Sequence, residues 1–223
     1  LCRQFWKQSG KPTKWKVISR YHGYHGATLG AMAASGVAKR RQPFEPLPAG
    51  FIHVPTVHCY RCPYGRTYPG CGVFCAEYVG QVIALEGPET VSALIVEPIG
   101  NTGGIITPTE EYYRILREIC DRHNVILIFD EVITGFRLGM SGAQGRFGVT
   151  PDLTTMGKIV GGGMPVAAVA GKAEVVRKAD PDRDGVEGIG VRFLEFAGDS
   201  RKRLEAILGE AFNIPIDEVS TTS

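Results

Sequence analysis

Long apolar runs are missing from this 223-residue chain. None approaches the roughly 18 residues that a membrane-spanning helix needs, so no membrane partner is expected. Excess charge is missing too. Twenty-five Lys and Arg stand against 23 Asp and Glu, a formal net charge of +2. That balance argues against a nucleic-acid partner held by bulk positive charge. Neither an internal repeat nor a low-complexity segment is present, which excludes solenoids and most disordered linkers. The opening residues, Leu1-Cys2-Arg3-Gln4-Phe5-Trp6, contain neither an initiator Met nor the apolar stretch of a secretory signal. The expectation is a chain of the cytoplasm or an organelle matrix.

What is there is ordinary globular composition, 43% hydrophobic and 22% charged, enough for a real core. Glycine is abundant at 29 residues, a sign of tight turns and close backbone approaches. Short apolar strands are expected at 16–19, 51–54, 92–97, 125–129, 153–156 and 166–170. Helices are expected at 27–34, 77–86 and 109–123, the last opening on Thr109 with acidic residues in its first turn. Apolar strands alternating with amphipathic helices predict an α/β fold, a mostly parallel sheet with helices on both faces. Ligands in such sheets bind outside the carboxyl ends of the strands. The rule directs attention to the turn 23–26, Glu97, Asp130–Glu131 and Lys158.

Six cysteines occur, four of them spaced C-x2-C-x8-C-x3-C at Cys59, Cys62, Cys71 and Cys75. Turn formers between the two pairs would let the chain fold back on itself. Two readings stand: a structural zinc site of four thiolates, or reduced cysteines in a long surface loop. Residues 1–178 form the expected core. Beyond it, 179–185 reads as a charged linker and 201–212 as an amphipathic helix with Leu204, Ile207, Leu208 and Phe212 on one face. That tail faintly resembles the start of an acyl carrier domain, but a docking or packing helix accounts for it better.

A carboxylate at the end of the most apolar strand, Asp130, needs a cation or strong donor. Lys158 follows another strand and precedes Gly161-Gly-Gly163; an amine in a partly desolvated site is a potential nucleophile. Tyr24 offers a flat aromatic face. A planar heterocycle stacked on Tyr24, with its ring nitrogen on Asp130 and its aldehyde on Lys158, would satisfy all three.

Phe129-Asp-Glu-Val-Ile-Thr-Gly-Phe-Arg137 and Met156-Gly-Lys-Ile-Val-Gly-Gly-Gly-Met-Pro165 closely resemble the signature of class III aminotransferases, pyridoxal-phosphate enzymes of fold type I. Tyr24-His-Gly-Ala-Thr28 and Val96-Glu-Pro98 match two further motifs in the family's order. The wording around Ser19-Arg-Tyr-His-Gly-Tyr-His-Gly26 looks most like the ω-amino acid and amine transaminase branch. The resemblance implies that Lys158 carries pyridoxal 5'-phosphate as a Schiff base and shuttles the substrate proton. It implies that Asp130 keeps the pyridine nitrogen protonated, that Tyr24 and Val132 sandwich the ring, and that His25 and Glu97 support it. Arg137 belongs to the scaffold. The implied partners are a small-molecule amino donor, a keto acid acceptor and a second subunit in a homodimer.

The family's phosphate-binding Gly/Ser turn precedes the segment equivalent to residues 1–6, and its Gly-Thr-rich segment is not found after Lys172. The family's small domain is missing or replaced by residues 180–223. A second reading is therefore a truncated, catalytically inactive relative that serves as a binding or interaction module.

Overall fold

In the computed structural model the described residues are 1–172, 175 and, as backbone, 189–195. Seven strands form one sheet: β1 (Lys16–Arg20), β2 (Phe51–Val54), β3 (Val91–Val96), β4 (Ile126–Asp130), β5 (Leu153–Met156), β6 (Ala167–Lys172) and β7 (Ile189–Glu195). Their spatial order is β2-β1-β3-β4-β5-β6-β7. Neighbours from β2 to β5 are parallel; β6 is antiparallel to β5, and β7 to β6. The sheet is thus mostly parallel, as expected.

β3 and β4 read as continuous apolar runs because both of their faces are covered. Alternate side chains divide between two cores. Leu94, Leu127 and Phe129 join one cluster, while Ala93, Ile126 and Ile128 join the other. The first core lies beneath α4 (Phe74–Glu86) and α5 (Glu110–His123). The second is closed by Phe5 and Trp6 of α1 (Cys2–Gln8). Each large apolar side chain removed from water in this way stabilises the fold by about 1.5–3 kcal/mol.

Helix α5 shows how local sequence meets this packing. Tyr112, Tyr113, Leu116, Ile119 and Cys120 recur on one helical face and are buried. Glu110 and Glu111 occupy its first turn, and Arg122 and His123 its last, each favourable to the helix dipole. Asn124 ends the helix in the left-handed conformation, which asparagine tolerates.

Three boundaries differ from expectation by two residues or more. Helix α4 begins at Phe74, ahead of the expected 77, because Phe74 and Tyr78 pack edgewise and tilted against Tyr64. Thr28 is extended, so the helix after the first turn, α2 (Leu29–Ala34), starts only at Leu29; a one-turn α3 (Ala38–Arg41) follows it. β6 runs on to Lys172, which pairs with Ile189 of β7, a strand the sequence pattern did not suggest. The linker at 179–185 and the amphipathic helix at 201–212 lie outside the described residues. No helix among the described residues is long and apolar enough to cross a membrane.

One carboxylate ties the parallel and antiparallel parts together. Asp152, just ahead of β5, accepts the Leu127 N–H at 2.8 Å, Arg117 Nη1 from α5 at 2.8 Å and Lys172 Nζ from β6 at 2.6 Å. Burial would raise its carboxyl, but Lys172, the Leu127 amide and Arg117 together hold it below the usual aspartate value. A depressed folded value means stabilisation that is complete above the unfolded value of about 3.9 and is lost as pH falls through the folded one. Asp152→Asn is expected to cost on the order of 2 kcal/mol near neutrality. In urea titrations the wild type should lose this advantage over the variant as pH is lowered below about 4. A difference between the two that stays constant with pH would contradict the assignment.

Candidate functional site

The parallel strands β1, β3, β4 and β5 all end on one edge of the sheet, and the loops leaving them build one cavity of about 130 Å3. Tyr24, His25, Glu97, Asp130, Val132 and Lys158 all line it. These are the six residues expected from the sequence. They come from four separate stretches of chain, and only the strand order brings them together.

Asp130 closes β4 and is 7% exposed. His25 Nδ1 lies 2.8 Å from its Oδ2, and the Val132 amide donates to its Oδ1 at 3.2 Å. The carboxylate therefore has the donors that its burial requires, and fixes the His25 ring as Nδ1–H donor. His25 is itself seated by its backbone N–H, which donates to Ser35 Oγ at 2.9 Å. Ser35 Oγ donates in turn to the Ala31 carbonyl at 2.9 Å.

Glu97, at 5% exposure, does not point into open space. One carboxylate oxygen accepts the Tyr24 amide at 2.7 Å and the other accepts the Asn101 amide at 3.2 Å. It thereby clamps the Tyr24-His25 turn to the end of β3. The turn also needs glycine. A Cβ on Gly23 would meet the Arg20 carbonyl at 3.0 Å, and Gly26 has a φ of +132°. Arg20, buried at the end of β1, donates through Nη2 to the Glu97 carbonyl. Tyr113 donates to the next carbonyl, that of Pro98, at 2.6 Å.

Lys158 opens a short 3-10 turn, Lys158–Gly161, directly after β5. Its φ is +50°, a left-handed conformation uncommon for a non-glycine residue and concentrated at functional sites. Among the described residues its ammonium has no hydrogen-bond or ion-pair partner. The Val132 side chain packs 3.4 Å from where a Cβ on Gly157 would sit, so glycine there admits Val132 against the lysine's turn.

Other residues that the sequence singled out serve as scaffold. Glu131 is 1% exposed and turns away from the cavity. It accepts the Ala143 amide at 2.6 Å, with Thr134 Oγ1 and Gln144 Nε2 each at 3.1 Å. Arg137 Nε donates to the Ile133 carbonyl at 3.1 Å and closes the loop after β4. Sequence reasoning missed Arg20, and it missed Arg40, whose guanidinium lies 4.9 Å from the Tyr24 ring centroid. The signal for Arg20 was its place at the end of a buried strand; Arg40 carries none.

The zinc expectation is corrected. Among the described residues no group of three or more His, Cys, Asp or Glu side chains is arranged to hold a metal ion. Cys75 sits in the first turn of α4 packed against the core, in the role of a small apolar side chain.

The cavity residues fit pyridoxal phosphate on chemistry that is visible here. A buried acid can face a protonated ring nitrogen, an unpaired amine can face an aldehyde, and an aromatic and an aliphatic side chain lie beside the slot between them. Comparison with known proteins agrees. The family model for class III aminotransferases matches residues 1–187. A "probable aminotransferase" of Mycobacterium tuberculosis is 40% identical over 187 residues, 83% of this chain and 40% of that protein. A glutamate-1-semialdehyde 2,1-aminomutase of Nitratidesulfovibrio vulgaris is 40% identical over 173 residues, 78% of this chain and 38% of that protein. The crystal structure of an amine transaminase from an uncultivated Pseudomonas species, in its PLP-bound internal-aldimine form, superposes with a TM-score of 0.75 at 34% identity. It covers 79% of this chain and 40% of that one. The chain thus spans about two fifths of the length of the proteins it matches. Over that span, it belongs to the class III aminotransferase family.

Proposed function

We propose that this chain is the cofactor-binding core, residues 1–178, of a transaminase that moves an amino group from an amine or ω-amino acid to a keto acid. The reading rests on one observation: Tyr24, Asp130, Val132 and Lys158 line a single cavity at the carboxyl edge of the sheet. Pyridoxal phosphate, when bound, supplies the aldehyde that accepts an amine and the ring that draws electrons from the reacting carbon.

The chain's own residues do the rest. Asp130 Oδ holds a proton on the ring nitrogen, and His25 keeps that carboxylate oriented. Tyr24 and Val132 both line the cavity in which a flat ring would sit. Glu97 holds the turn that carries Tyr24. Lys158 Nζ would be the point of covalent attachment, and would take and return the proton that moves at the substrate carbon. A catalytically silent binding module is the less favoured reading, since Tyr24, Asp130, Val132 and Lys158 all line the cavity.

The reading extends to assembly and location. Leu138 and Met140 after β4, and Ile159 and Met164 after β5, leave apolar surface exposed on the same edge. A second copy of the chain would cover such a rim, as in a homodimer. Six free cysteines suit a reducing compartment, the cytoplasm or an organelle matrix.

Mixing the purified protein with pyridoxal phosphate should produce a visible absorbance band that Lys158→Ala abolishes. No band at saturating cofactor, or an unchanged band in the variant, would overturn the assignment. Asp130→Asn should weaken cofactor affinity at least about tenfold, equivalent to about 1.4 kcal/mol. Equal affinity in titrations of the two proteins would remove Asp130 from the site.

A further inference from the structure

The four clustered cysteines take no part in the cavity around Lys158, yet the fold gathers them. Cys59, Cys62, Cys71 and Cys75 line a second cavity together with His58 and Arg66. None is in a disulfide. Their sulfurs are close enough to influence one another. After burial, Cys71 and Cys62 are the main influences that raise the Cys59 thiol, and Cys59 heads the neighbouring sulfurs that raise Cys75.

The two pairs differ in situation. Cys75 packs against the core beneath α4, in the role of a small apolar side chain. Cys59 is exposed and Cys62 half-buried. Cys59 opens the 3-10 turn Cys59–Arg61, and Cys62 is its C-cap. Side chains three residues apart in such a turn eclipse each other, and a rise of about 2.0 Å per residue puts their Cα atoms about 6 Å apart. That falls within the roughly 4.4–6.8 Å span that a disulfide bridges. The turn is held by His58, whose Nδ1 accepts the Arg61 amide at 3.0 Å and whose carbonyl accepts the same amide at 3.2 Å. Arg66 lies on the same cavity wall, with its guanidinium 3.8 Å from the Phe74 ring centroid.

We propose that Cys59 and Cys62 form a redox-active dithiol that closes to a disulfide by exchange with a small-molecule disulfide of the glutathione class. The exposed Cys59 thiolate attacks one sulfur of that disulfide and releases the first small thiol. Cys62, deprotonated, then attacks the Cys59 sulfur of the mixed disulfide and releases the second. Two electrons pass from the protein to the small disulfide, which is reduced to two thiols, and the two protein thiols give up their protons.

The test is to equilibrate the full chain with mixtures of reduced and oxidised glutathione, block remaining thiols with iodoacetamide and map the peptides by mass. The expected product is a Cys59–Cys62 cross-link within one peptide, two hydrogens lighter than the dithiol, reversed by added reduced glutathione. Cys62→Ser should instead accumulate a glutathione adduct on Cys59, because the resolving thiol is gone. The proposal is overturned if both cysteines remain fully alkylated in oxidised glutathione, or if the cross-link involves Cys71 or Cys75. It is equally overturned if Cys62→Ser leaves Cys59 free of adduct.

Discussion

A carboxylate at the end of a strand buried on both faces must find a donor or lose its charge. Asp130 finds His25 at 2.8 Å, and much of the site's construction follows from that contact. His25 belongs to a turn leaving β1, while Asp130 ends β4, with β3 between them in the sheet. The hydrogen bond therefore spans the edge of three strands and pins the loop that carries Tyr24. Tyr24 is pinned a second time through its amide by Glu97, from the intervening strand. The aromatic face, the acid and the ring slot between them are thus set by hydrogen bonds rather than by flexible side-chain packing.

This arrangement explains why glycines crowd the edge. The turn between β1 and the following helix passes so close to the Arg20 carbonyl that a side chain at Gly23 would press on it. On the other side of the cavity, Gly157 leaves room for Val132 next to the lysine's turn. Lys158 itself takes a left-handed backbone conformation, with a φ of +50°. Local strain of this kind is a cost accepted where a functional group must point in one direction. Glu131 contributes from behind: three neutral donors hold it inside the protein, so the two acidic neighbours at the end of β4 have opposite roles, one facing the cavity and one anchoring the loop.

Much of this was legible in the chain. Continuous apolar runs flanked by turns marked the central strands, because strands covered on both faces need no alternation. The strand-end rule then placed Asp130, Glu97 and the 23–26 turn on one edge. Arg20 signalled itself only by its place at the end of a buried strand, because a charged residue there gives no hint of which carbonyl it will serve. Strand β7 was hidden because the charge and turn residues at 179–185 read in the sequence only as a break. The cysteine spacing suggested four equivalent ligands, whereas packing treats Cys75 as core and Cys59 as surface. Spacing along a chain carries no information on burial, and burial decides which thiols ionise.

The central claim is that one amine, held against the Asp130 cavity, is the site of covalent attachment for the cofactor. Borohydride reduction of the protein with pyridoxal phosphate, followed by peptide mapping of the pyridoxyl label, tests it most directly. The account predicts the label on Lys158 alone at stoichiometric cofactor. A label spread over surface lysines, with Lys158 unmodified, would contradict it.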